Sequence, residues 1–252
     1  MTLYMAVFLG KRYQEGKIND LKETVYPAAA LVGFLLFIVV VLQKDMGSGV
    51  AIAAAAASIF MVSTIRMKTL MQIALVGVLF LGLTAVTAPH RLERITTFFG
   101  ASKSASQDDN DYHIKNAMIA LGTGGLTGRG IGKSIQSTGY LPEAINDSIF
   151  AVIGEIFGFA GTVLVVVLFA ALLLRVLRVA EYSPDMTRRL VVAGIFGWLF
   201  AHFFMNIASM IHLAPLTGIT LPFLSAGGSS MLFSGAALGI TKIGRASCRE
   251  RV

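Results

Sequence analysis

Unbroken apolar runs of near-membrane length constrain this chain more than any other feature. They fall at about Val25–Leu42, Gly49–Ile65, Leu70–Ala88, Ser148–Leu174, Leu190–Ile211 and, more weakly, Ser229–Ile243. Each except the last is close to the ~17–25 residues that cross a ~30 Å hydrocarbon layer as a helix. The runs are continuous rather than alternating, which argues against a transmembrane β-barrel. With 55% hydrophobic residues, 14% charged residues and a mean hydropathy of +0.73, the chain exceeds the apolar share of a soluble domain. The expectation is an all-α fold, a polytopic transmembrane helix bundle.

Both ends read differently from the middle. Met1–Leu9 is apolar but too short to span, and it lacks a basic n-region with a small-residue cleavage site, so it reads as the tail of an earlier helix. The last apolar run gives way to 244-GRASCRERV-252, which shares neither composition nor periodicity with what precedes it. That tail reads as non-native and carries no functional argument. It holds the single cysteine, Cys248; one cysteine excludes an internal disulfide framework and a Cys-rich metal site. No HExxH, CxxC or comparable metal spacing occurs.

The net charge of +7 points to topology rather than to nucleic acid. Lys11, Arg12, Lys17 and Lys22 form one cluster, Arg66 and Lys68 a second, and Arg175, Arg178, Arg188 and Arg189 a third. They occupy alternate connections, as cytoplasmic loops do under the positive-inside rule. The connections Gln43–Ser48, Pro89–Asp147 and His212–Gly228 then face outward, and residues 89–147 form a large extracytoplasmic loop.

That loop contains 125-GLTGRGIGKS-134, which resembles a nucleotide-binding P-loop at first sight. The P-loop needs two glycines separated by four residues before the lysine, following a strand. Here Thr127 stands where the first glycine is required, and His113–Leu121 is not a β-branched run. An outward position, away from ATP, argues the same way. What remains to explain is why so many glycines flank Arg129 and Lys133.

Within the outer loop, Lys103–Tyr112 is rich in Ser, Asp and Asn and reads as a mobile loop, His113–Leu121 as a short helix and Gly122–Gly132 as a flexible turn. In 140-YLPEAINDSIFAVIGEIFGFAG-161 polar and acidic groups run directly into an apolar helix. Asp147 there reads on local pattern first as an N-cap and also as a carboxylate at the membrane surface able to act as general base; the two readings are compatible. Glu155 lies about two turns inside the apolar run, where an ionised group costs on the order of 2.5–3.5 kcal/mol or more, so it should face a partner or a wet cavity. Glu143 reads as a solvated charge. In 43-QKDMGSG-49, Asp45 suits a cap of the following helix or a group that holds Arg or Lys side chains of the large loop in place, a structural purpose being favoured. In 206-NIASMIHLAPLTGITLPFLSAGGSSMLFSG-235, Pro215, Pro222 and the Gly227–Gly228 pair exclude one regular helix, so the segment should shape a pocket. Asn206 and His202 read as interior hydrogen-bonding groups rather than catalysts.

These strings resemble the SEDS family, the FtsW/RodA/SpoVE group of polytopic cell-wall glycosyltransferases. The family's pattern LPEAxTDFIFAVIGEExG matches LPEAINDSIFAVIGEIFG, and NxGxxxGxxPxTGIxLPFxSYGGSS matches NIASMIHLAPLTGITLPFLSAGGSS; a weaker match sets QPDxGT against QKDMGS. The resemblance covers nearly everything from about Val25 to Ile243. It implies that residues 1–243 are part of a SEDS transmembrane domain, with about six membrane helices of the ten usual in the family. It further implies polymerisation of lipid II, the undecaprenyl-diphosphate-linked disaccharide peptide, outside the bacterial cytoplasmic membrane. The partners it implies are a class B penicillin-binding transpeptidase, other division or elongation proteins and membrane lipids. The family's catalytic Asp aligns with Asp147. Arg129 and Lys133 are assigned to the diphosphate on charge and position, and Glu155, Asn206, Pro215 and Ser229 complete the expected substrate-binding set. No cofactor is required by the sequence, and a divalent cation is compatible with it.

The chain departs from the family pattern at several positions. Asn146 and Ser148 stand where Thr and Phe are common, Ile156 replaces a second Glu, Lys44 replaces Pro, Ala208 and His212 replace Gly, and Ala226 replaces Tyr. A division-type role is favoured over an elongation-type one. A lipid II flippase and a non-catalytic scaffold for a penicillin-binding protein are the alternatives.

Overall fold

The computed structural model describes residues 1–87, 107–136, 141 and 144–249. Glu143 and the rest of the outer loop between 88 and 106 lie outside the described residues, as do the last three positions of the tail. All regular structure among the described residues is helical. The helices are α1 (Thr2–Gln14), α2 (Leu21–Leu42), α3 (Met46–Val62), α4 (Met67–Thr87), α5 (Gln107–Gly124), α6 (Ile149–Glu181), α7 (Met186–Met210) and α8 (Gly228–Arg249). Among the described residues, each apolar run expected from the sequence lies in a helix over most of its length. By length and composition α2, α6 and α7 suffice to cross a membrane, whereas α3 is a shorter apolar helix of 17 residues and α4 is apolar over Met67–Leu79.

Local chemistry explains the boundaries. Asp20 caps α2 by accepting from the amides of Lys22 and Glu23, and Pro27, which has no N–H, follows an opening π-helical turn, Leu21–Val25. A second π-helical turn, Phe37–Leu42, closes the helix. Lys44 then takes a left-handed φ of 58°. Asp45 caps α3 as expected, accepting from Ser48 N at 3.0 Å and Ser48 Oγ at 2.6 Å, and the alanine-rich interior of α3 favours helix intrinsically. The helix α5 begins at Gln107, so Gln107–Tyr112 are not loop as their composition suggested. Its buried face, His113, Asn116, Ala117 and Ala120, continues the helical period past the polar start.

The chain divides into two compact units. The first comprises Met1–Thr84, Leu172–Ala201 and Gly235–Val252. Its helices close on small residues: Gly10 against Thr187, Gly49 against Val40, Gly194 against Ile59 and Gly197 against Ser58. At its polar ends Arg12 pairs with Glu15 at 3.0 Å and Lys17 with Glu23 at 2.8 Å. The Glu23 hydrogen bond and charge raise the pKa of Lys17 above its ordinary value. The second unit comprises Ala85–Ala171 and His202–Ser234. Its core gathers Ala117, Ala120, Phe150, Val152, Phe169 and Leu221, and Phe169 stacks on Phe203 with ring centroids 4.6 Å apart.

Candidate functional site

The second unit is built around a helix that the sequence presents as continuous and the structure does not. At Gly158, φ 67° and ψ −163° break α6 into Ile149–Phe157 and the remainder; only glycine adopts that backbone readily. A break exposes amides and carbonyls that would otherwise pair along the helix. The glycine-rich stretch supplies the partners. Arg129 N donates to Glu155 O at 2.9 Å and Gly130 N to Ile156 O at 3.0 Å, while Phe159 N donates to Gly125 O at 2.8 Å and Ala160 N to Leu126 O at 3.2 Å. These four bonds splice the loop into the break.

The glycines now have a physical reason. A Cβ on Gly124 would meet the carbonyl of Gly154, one on Gly128 the carbonyl of Ile156, and one on Gly158 the backbone of Gly128 and Leu126. The close approach is of backbone to backbone, not the flexible turn expected from composition. Arg129 and Lys133 project from this loop and are exposed; Arg129 Nε donates to Thr123 O at 3.3 Å.

Glu155 is fully buried and has its partner in the same loop. Its carboxylate accepts from Ser134 Oγ at 2.6 Å, Ile135 N at 2.9 Å and Gln136 N at 3.3 Å. Hydrogen bonds to an ionised acceptor contribute ~1.5–3 kcal/mol each. Both oxygens are thus engaged in holding the stretch that follows Lys133.

A second knot forms at the other end of the short helix Ile149–Phe157. The position directly before this helix is Ser148, one residue later than the cap reading of Asp147 supposed. Asp147 is buried. Asn206, on α7, donates through Nδ2 to Asp147 O and to Ile219 O, both at 2.7 Å. Ser225 Oγ donates to Asn146 O and accepts from Leu221 N at 2.8 Å, and Ala226 N donates to Ile145 O at 3.1 Å. The irregular segment 211–227 is thereby laced to residues 145–147. A Cβ on Gly218 would lie 3.8 Å from Asp147 Oδ2, so this turn borders the carboxylate. His202 Nδ1 lies 3.3 Å from Thr220 O.

The expected site residues therefore fall into two groups flanking one short helix. Arg129 and Lys133 belong to the spliced loop, which Glu155 holds from within the short helix; Asp147 and Asn206 belong to the lacing. Pro215 is half-buried within the irregular segment. Ser229 is exposed in the first turn of α8, and its neighbour Ser230 is the residue whose hydroxyl lies 3.3 Å from Thr220 Oγ1. Sequence reasoning missed Ser134, Ser225 and the pair His113 and Ser148, whose Nε2 and Oγ are 2.9 Å apart. The period of α5 could have flagged His113, because it shares a face with Ala117 and Ala120; isolated serines carry no such signal. Among the described residues no group of three or more His, Cys, Asp or Glu side chains gathers as a metal site would.

The sequence pattern of the FtsW/RodA/SpoVE family, described as cell cycle proteins, matches residues 1–247. The chain is 35% identical to the stage V sporulation protein E of Bacillus subtilis, covering 95% of this chain and 65% of that protein. It is 35% identical to the probable peptidoglycan glycosyltransferase FtsW of Coxiella burnetii, covering 94% and 63%. In fold it is similar to a solved peptidoglycan synthase complex described as coordinating polymerization and crosslinking, with a TM-score of 0.64 at 24% identity over 86% of this chain and 61% of that one. It is also similar to a variant of the rod shape determining protein RodA of Thermus thermophilus, with a TM-score of 0.61 at 22% identity over 97% and 64%. The chain spans less than two thirds of the length of these curated relatives.

Proposed function

The chain belongs to the FtsW/RodA/SpoVE family, and from that membership we propose that it serves a peptidoglycan glycosyltransferase that polymerises lipid II at the outer face of the bacterial cytoplasmic membrane. The observation that carries this reading is the lacing around Asp147. Two side chains and one amide fix the backbone on either side of a single carboxylate, which is the preorganisation a general base requires. Relatives named as probable peptidoglycan glycosyltransferases supply the reaction class.

In this reading the acceptor sugar hydroxyl attacks the anomeric carbon of the donor. The hydroxyl O–H bond breaks and its proton passes to the Asp147 carboxylate. The new glycosidic C–O bond forms as the bond to the lipid diphosphate breaks, with inversion. General-base assistance of this kind contributes ~10²–10⁴-fold. Arg129 and Lys133, exposed on a loop that four backbone bonds hold in place, are suited to balance the charge on the departing diphosphate. Glu155 acts by holding that loop. The reading asks for no cofactor. A class B penicillin-binding transpeptidase is the proposed partner, supported by the similarity to a synthase complex that couples polymerization to crosslinking.

The test is glycan-strand synthesis from purified lipid II by the protein at its full cellular length together with that partner, comparing wild type with Asp147→Ala. Polymer from wild type alone supports the reading. Polymer from both removes Asp147 as the base. Polymer from neither, with lipid II still crossing vesicle membranes, favours a flippase.

A further inference from the structure

His113 and Ser148 are buried, with 5% and 0% exposure, beside the carboxylate assigned as base. Ser148 stands where the family pattern reads Phe, so a hydroxyl replaces an apolar ring at this place. Its Oγ lies 2.9 Å from His113 Nε2 and 3.5 Å from Asp147 Oδ1. The second distance is long for a hydroxyl–carboxylate bond, as catalytic hydrogen bonds often are before substrate binds.

Proton accounting gives the array a direction. An ionised carboxylate only accepts, and a serine has one proton to donate. With that proton directed at Asp147, the bond to His113 must be donated by Nε2–H. The imidazole's other nitrogen, Nδ1, is buried with no hydrogen-bond partner among the described residues and is unsatisfied in either tautomer, so the contact with Ser148 alone sets where the ring proton sits. The ring is held by the face of α5 that packs Ala117 and Ala120 into the core with Phe150.

We propose that His113 is a positioning residue acting through Ser148: Nε2–H donates to Ser148 Oγ, and Ser148 O–H donates to Asp147 Oδ1. Oδ2, which faces the Gly218 turn, is then the oxygen that takes the proton from the acceptor hydroxyl. The array transfers no proton itself; the protons of His113 and Ser148 stay in place while the O–H bond of the substrate breaks. The inference rests on Asp147 being the base.

Its test pairs kinetics with a readout that needs no activity. In lipid II polymerisation by the full-length protein with its partner, His113→Ala and Ser148→Ala should each lower kcat by ~10-fold or more, with KM within about twofold, the size expected of one transition-state hydrogen bond. The double variant should be no slower than the slower single variant, since the residues act as one unit. His113→Gln, whose amide can still donate to Ser148, should recover most of the rate. Unchanged kcat in the single variants, additive losses in the double, or losses that follow a lowered unfolding midpoint would each overturn the array. Carbon and nitrogen NMR of imidazole-labelled protein supplies the second readout. A proton on Nε2 of His113 whose signal moves in Ser148→Ala supports the proposal, and a proton on Nδ1 overturns it. Should wild type make no polymer, the Asp147 reading falls and the tautomer alone decides the array.

Discussion

The unit formed by Met1–Thr84, Leu172–Ala201 and Gly235–Val252 closes on side chains, whereas the unit formed by Ala85–Ala171 and His202–Ser234 closes on backbone. In the first, glycines admit a neighbouring Val40, Ile59 or Thr187 side chain, and the ion pairs sit at partly exposed helix ends. In the second, Gly124, Gly128 and Gly158 admit carbonyls and amides while Gly154 and Gly161 admit side chains, as Gly197 of the first unit conversely also meets the Ala54 carbonyl, and the polar side chains Glu155, Asn206, Ser225 and Ser148 are buried. A helix packed by side chains tolerates adjustment, because rotamers can move. A helix broken and spliced by backbone bonds does not. The lesson is that candidate chemistry resides where backbone geometry is over-determined.

Four measurements test that contrast, in descending order of effect. Glu155→Ala removes the shared acceptor of three donors and should cost ~3–6 kcal/mol. It should appear as a lowered thermal midpoint in detergent together with new protease cleavage within 125–136. A loop that stays protected would mean the four backbone bonds suffice without it. Gly158→Ala comes next, at ~2–3 kcal/mol or more, because it combines a glycine-only backbone with contacts to the main chain of Gly128 and Leu126. Gly125→Ala, with positive φ but open space around it, should cost ~1 kcal/mol, so equal losses at 125 and 158 would refute the splice.

In the other unit, Gly49→Ala should cost ~1–2 kcal/mol by crowding Val40, and Val40→Ala in the same chain should restore most of it. Failure of that rescue would place Gly49 among the backbone-limited glycines. The smallest effect belongs to the exposed pair Lys17 and Glu23. Because the pKa of Lys17 is raised, its contribution is present below the ordinary lysine value of 10.5 and is lost as pH rises beyond it. Wild type and Glu23→Gln should therefore differ little at neutral pH and converge in alkaline solution; a gap that widens with pH would contradict the assignment.

Much of this was legible in the sequence, for reasons that also mark the limit. Apolar length revealed every membrane-scale helix, since burial in lipid requires it, and the Asp45 cap followed from its place before an alanine-rich run. The string around Asp147 singled out a carboxylate that the structure buries beside the irregular segment 211–227. Composition failed at Gln107–Tyr112, where helix is set by the face that follows rather than by the polar residues themselves. It failed again at Gly158, because a glycine inside an apolar run looks like any other small helix residue. Only the partner loop, some thirty residues earlier, makes the break affordable in hydrogen bonds. His113 and Ser148 were invisible together because 35 positions separate them.

The break at Gly158 also sets altitude. An unbroken helix of 33 residues would be about 50 Å long, well beyond the ~30 Å of hydrocarbon it has to cross. The part after the break, Phe159–Glu181, covers about 34 Å by itself and is long enough to make the crossing alone. Ile149–Phe157, with Glu155 in it, is left over as a short post that the crossing does not need. In the topology proposed for this chain that post need not enter the hydrocarbon, so Glu155 escapes the cost of the bilayer centre, and the bond-making chemistry proposed for Asp147 falls at the level where a lipid carries its phosphates.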